Sequence, residues 1–131
     1  MALSSNKPYS VVGATRLLHV KIAVAGTYYK GGIMCINPST GYAVKAADTA
    51  NFGAITGVLT EGKIVGSDVV DAVLEIGSIW IDNASAVQTS VGSEAYATAD
   101  DTIATSATNA DPCGIIEDVE VGKAYLVRFG K

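Results

Sequence analysis

LHVKIAVA, residues 18–25, alternates Leu18, Val20, Ile22 and Val24 with His19, Lys21, Ala23 and Ala25. A period of two puts alternate residues on opposite faces of an extended chain, so this stretch predicts a β-strand with one buried face. Residues 70–76 repeat the pattern, with Val70, Ala72, Leu74 and Ile76 set against Asp71, Val73 and Glu75. Ile79-Trp80-Ile81 reads as a further strand after a break at Gly77-Ser78, ended by a turn at Asp82-Asn83. Ile33 to Ile36 and Tyr42 to Lys45 flank Asn37-Pro38-Ser39-Thr40-Gly41, where proline fixes φ, glycine supplies a positive φ and Asn and Ser bond nearby backbone. That spacing predicts a hairpin. Ile115-Ile116 and Tyr125 to Phe129 supply two more strands around a turn at Gly122.

Fourteen glycines punctuate these runs, and no stripe at helical spacing is present, so at most 46–51 forms a helical turn. Short strands at close spacing point to an all-β fold, a compact β-barrel or sandwich of short antiparallel strands. Residues 1–16 lack the alternation and are rich in Ser and Asn, which predicts an extended N-terminal arm ahead of one domain over 17–131. A shift of 61 residues aligns Gly31 with Gly92, Ala43 with Ala104, Ala46 with Ala107, Gly53 with Gly114, Ile55 with Ile116 and Val58 with Val119. This faint repeat suggests two related hairpin units.

With 131 residues the chain has the size of one ordinary domain. Hydrophobic residues make up 49% and charged residues 17%, so the polar surface must come largely from Ser, Thr, Asn, Gly and peptide groups. Such a surface suits packing against other protein. The net charge of −4 hides an asymmetry: Lys7, Arg16, Lys21, Lys30 and Lys45 precede any acidic residue, and all thirteen carboxylates follow Ala47. Sparse lysines do not form the clustered Arg and aromatic surface of a nucleic-acid binder, so no nucleic-acid partner is expected. No apolar run approaches the roughly 20 residues a membrane-crossing helix needs, and 1–16 does not resemble a signal peptide, which predicts a product made in the cytoplasm with no membrane partner. Cys35 and Cys113 have neither a Cys-x-x-Cys nor a metal-ligand spacing and are expected as buried free thiols.

Motifs that carry chemistry fail on inspection. Gly57 to Lys63 has the G-x-x-x-x-G-K spacing of a phosphate-binding loop, but Ile64 stands where a hydroxyl should ligate Mg²⁺, and Glu61 would face the phosphates. A strand-turn-strand is expected there. His19 is the single histidine and has no partner at ligand spacing. Asp100-Asp101 and Glu117-Asp118-Glu120 lack the register of a calcium loop. Ser67 and Ser78 follow glycine outside any nucleophile motif. No catalytic residue, metal site or cofactor is therefore expected, and the chain reads as a non-enzyme.

KGGIMCINPSTGYAVKAADT (30–49), IWIDNASA (79–86), VGSEAYATADDTIAT (91–105) and CGIIEDVEVGKAYLVRF (113–129) resemble a family of small phage and prophage virion proteins, the head decoration or cement proteins. The likeness runs from Gly26 onward. The resemblance implies an all-β protein, commonly trimeric, added to the capsid exterior to brace the expanded head, with the major capsid protein and copies of itself as partners. Candidate capsid or subunit contacts are Lys7, Arg16, His19, Lys21 and Trp80, with the arm ordering on binding to an acidic shell. The competing expectation is a β-barrel adhesion module, a head fibre or tail part, that binds host-surface glycan through Trp80 or Tyr28-Tyr29.

Overall fold

The computed structural model describes residues 2–130. The protein is all-β, a curled antiparallel sheet that forms a half-barrel. Its strands are β1 (Val11–Ile22), β2 (Gly26–Tyr28), β3 (Ile33–Ile36), β4 (Ala43–Lys45), β5 (Thr56–Leu59), β6 (Lys63–Val65), β7 (Val70–Asp82), β8 (Glu94–Ala99), β9 (Thr102–Ala104), β10 (Gly114–Glu120) and β11 (Ala124–Phe129). One 3₁₀ turn, Gln88–Ser90, completes the described elements. β2 and β6 form a separate two-stranded ribbon, and the other nine strands form one sheet.

β7 organises that sheet. A strand has two edges, and β1 takes one of them from Val70 to Ile79. The other edge is shared, with β5 beside Leu74 and Glu75 and β11 beside Ser78 to Asp82. The sheet therefore forks along one edge of β7 and curls into two halves. Each half has the same order, β4-β3-β5-β7 in one and β9-β8-β10-β11 in the other. The 61-residue shift carries the first residue of β3 onto the first of β8 and all of β5 into β10. Gly31 and Gly92 share a left-handed φ, at 84° and 89°. The faint sequence repeat thus corresponds to a repeated topology.

The halves meet through their loops. Asp48 accepts hydrogen bonds from the backbone N–H groups of Thr108, Asn109 and Ala110 at 3.2, 2.7 and 2.8 Å. Asp111 N–H donates to the Phe52 carbonyl at 2.6 Å. The Ala110 and Asn109 bonds hold the Asp48 carboxyl below its ordinary range. A depressed folded pKa stabilises the fold above the unfolded value near 4, and that contribution is lost as pH falls through the folded one. Asp48→Asn should therefore flatten the acid limb of a stability-versus-pH curve below about pH 4, leaving its shape at pH 6–8 unchanged.

Two hydrophobic clusters result. The larger joins both halves, with Ile33, Val58, Ile79, Ile116, Val127 and Phe129 at its centre. The smaller lies across β3 and β5, where Met34, Leu59 and Leu74 pack on Val20, Ile22 and Tyr28.

The structure corrects three expectations. First, no break separates 70–76 from 79–81: β7 is continuous, but its buried set changes from Ala72, Leu74 and Ile76 to Ile79 and Ile81. The change of face at Gly77-Ser78 imitates a strand end in the pattern. Second, β1 starts at Val11 rather than after Arg16, and it ends before Val24, which is exposed. Three residues, Gly13 to Thr15, bulge opposite Gly77, because Val12 pairs with Ser78 and Arg16 with Ile76. The bulge erases the alternation by which the strand would be recognised. Third, 46–51 contains no helical turn; Phe52 N–H closes a turn onto Thr49, with Asn51 at φ 68°.

Gly77 has a steric role in this arrangement. A Cβ there would lie 2.6 Å from the Thr15 methyl and 3.2 Å from its Cα. Gly77→Val should push the bulge off β7 and cost about 1–3 kcal/mol by overpacking, read as a lower urea midpoint.

Candidate functional site

β1 has twelve residues and only one paired edge. Among the described residues no backbone group pairs along its outer side. Its inner face dips into the core through Val20 and Ile22, while Val11, Val12 and Leu17 are 41%, 48% and 60% exposed. Every ionisable side chain on it, Arg16, His19 and Lys21, is basic and exposed. Monomeric proteins usually shorten, cover or charge such an edge, because open N–H and C=O groups recruit another strand.

Lys21 lies 2.7 Å from Asp71, directly across the β1–β7 pair. Hydrogen bonding and attraction lower the Asp71 carboxyl pKa and raise that of the ammonium. Both groups face water, so the pair is screened and adds little to stability. His19, on the same face, adds to the positive field at Asp71. Arg16 has no ion pair among the described residues and borders a shallow depression with Arg128 and Gly130.

Beside this edge runs a groove of about 450 Å³, floored by Leu18, Val20, Ile36, Tyr42 and Ile55. β4 and β1 approach within 8 Å at some Cα positions without pairing, and the groove opens where they diverge. Ile55 is 47% exposed there. Sequence reasoning found His19 and Lys21 but missed this floor. Ile36, Tyr42 and Ile55 come from three separate segments, and only the curl of the sheet brings them to β1.

Lys7 and Trp80 lie at the other end of β7, about 30 Å from Asp71 at some 3.3 Å per residue. The arm expected over 1–16 is divided: residues 11–16 belong to β1, and 2–10 lie against the body. Leu3 N–H donates to buried Asp100 at 2.9 Å, and Lys7 N–H donates to the Lys30 carbonyl at 2.8 Å. Lys7 Nζ is 2.8 Å from Asp82. Trp80 N–H donates to the Ser10 carbonyl at 3.0 Å. Residues 7–10, half-buried Trp80, Asp82 and Ile33 line a small cavity of about 100 Å³. The segment is ordered by this structure's own backbone acceptors and carboxylates, which composition alone does not reveal. Truncation through residue 16 would also strip half of β1, so it does not leave the body intact.

Glu75 is a fixing point that sequence reasoning did not single out. Tyr9 Oη donates to one of its oxygens at 2.8 Å and Thr15 Oγ1 to the other at 2.5 Å. Burial, then the bond to Glu75, pushes the Tyr9 phenol well above its usual range. The sole signal was a carboxylate on a strand otherwise rich in apolar residues.

The expected strand-turn-strand is present at 57–64, with Gly57 in β5, a turn and then β6, and β6 pairs with β2. A Cβ on Gly57 would meet the Glu75 carbonyl at 2.8 Å, so this glycine serves strand packing. Among the described residues no group of three or more His, Cys, Asp or Glu could hold a metal ion. Cys35 and Cys113 are buried thiols outside any disulfide, Cys113 donating to the Ala95 carbonyl at 3.3 Å, and burial pushes the Cys35 thiol up to about 11. Native protein at pH 8 should resist thiol reagents, and denatured, unreduced protein should titrate two thiols. Ellman's reagent reads both.

Comparison with protein-family models, with curated proteins and with solved structures gives no match.

Proposed function

We propose that this protein is a structural virion component: it binds the outside of a phage capsid and stabilises the expanded head. It is made in the host cytoplasm and works as a trimer, with the major capsid protein as its principal partner. The observation that carries the reading is the long open edge of β1, which joins exposed Val11, Val12 and Leu17 to an exclusively basic set of charges. An apolar, cationic strand edge is suited to a protein surface that offers backbone partners and negative charge. The sequence resemblance to head decoration proteins points the same way. A threefold ligand engages equivalent patches on an icosahedral shell together, so weak single contacts add through effective concentration.

The glycan-binding alternative draws less support. Tyr28 is buried with its hydroxyl donating to the Val24 carbonyl, and Trp80 is half-buried beside a cavity of about 100 Å³ that Pro8 and Tyr9 also line. A sugar platform needs a flat exposed ring.

The test is a protein inventory of purified particles, with and without this chain. Stoichiometric presence on DNA-filled heads and a lower rupture temperature in its absence are expected; normal heads lacking the protein would overturn the reading. Native mass spectrometry should find trimers, free or recovered from the shell. Attachment should also weaken as salt rises to physiological strength, where charges beyond roughly 8 Å are screened.

A further inference from the structure

We infer that the groove beside β1 is a strand-addition site for an extended segment of the shell protein that alternates apolar and acidic residues, an inference that rests on the virion reading above. The pleat of β1 dictates that alternation. Half-buried Leu18 and buried Val20 alternate with exposed His19 and Lys21, and all four line the groove, the first two at its apolar floor with Ile36, Tyr42 and Ile55 and the other two at its solvent side. A strand paired to the open edge of β1 has the same two faces, so one set of its side chains meets an apolar floor and the other lies beside two basic groups. Asp71 is the single carboxylate lining the groove, and Lys21 already engages it. Arg16, farther along the same strand, has no ion pair among the described residues, so the complement left unfilled at this edge is negative.

The same charges disfavour a second copy of β1 as occupant. Antiparallel self-pairing would bring two sets of Arg16, His19 and Lys21 together, with no acidic residue on either strand. Backbone pairing supplies affinity in this mode of recognition, and the alternating side chains supply selection.

The probes are two capped peptides, four repeats of Val-Glu and four of Val-Lys, titrated into isotope-labelled full-length protein at physiological salt. The acidic peptide should shift the amide resonances of 16–22 and those around Ile36, Tyr42 and Ile55, and bind at least about tenfold tighter than the basic one. Ile55→Glu, at a half-exposed floor position, should weaken that binding at least about tenfold, and Ile55→Val should retain it. His19→Glu, at an exposed position, gives the same reading should Ile55→Glu melt early. Absence of shifts at β1, or equal binding of both peptides, overturns the inference. So does a wild-type oligomer that Ile55→Glu dissociates, because the occupant is then a second copy. Attachment to particles separates the two levels: wild-type protein that does not attach defeats the virion reading, whereas attachment undiminished by Ile55→Glu defeats the groove alone.

Discussion

Gly53→Ala should cost about 3–5 kcal/mol and bring the protein close to unfolding. Gly53 is buried with φ at 120°, a conformation a side chain resists, and a Cβ there would lie 2.1 Å from the Asp111 carbonyl oxygen. That oxygen belongs to the loop that Phe52 and Asp48 tie to the first half of the sheet. The clash therefore falls on the joint between the two repeated units. Gly92→Ala is the control: φ is 89° but open space surrounds the position, so only the left-handed backbone cost of about 1–2 kcal/mol applies. Urea unfolding of both variants separates clash from strain. Equal midpoints would show that the Asp111 contact relaxes freely.

Ile79→Ala should cost about 3–4 kcal/mol. Ile79 is fully buried in the larger cluster, pairs with Val11 on one side and Val127 on the other, and lies where the buried face of β7 has just changed. The residual cavity would open among backbone-fixed strands, where relaxation is limited. Ile64→Ala, at a position 80% exposed on β6, should stay within about 0.5 kcal/mol of wild type. A small effect at Ile79 would mean that the two halves do not share one core.

The strands legible in the sequence are those in which one face is buried along an unbroken register, such as the end of β1 and the start of β7. Where the register shifts, the pattern misleads: the bulge at Gly13 to Thr15 hid half of β1, and the face change at Gly77-Ser78 made one strand read as two. Three-residue strands such as β2 and β9 are too short to show a period. The 61-residue repeat was visible at Gly31 and Gly92, where a left-handed turn recurs with the topology, whereas Gly114, aligned with Gly53, lies in β10. At the candidate site, the basic residues of β1 could be named from charge alone. The pairing of the lysines could not, since Lys21 on β1 finds Asp71, and Lys7 ahead of it finds Asp82, only after folding. The groove floor was invisible for the same reason, because Ile36, Tyr42 and Ile55 are far from β1 in sequence.

The proposal that this protein braces a capsid is tested most directly by an electron cryomicroscopy reconstruction of the particle that carries it. The account predicts half-barrel density on the outer surface of the expanded shell, three copies around each occupied threefold position, with the β1 edge turned toward the major capsid protein. Density confined to the tail, or a bare capsid exterior in particles whose protein inventory contains the chain, would contradict it.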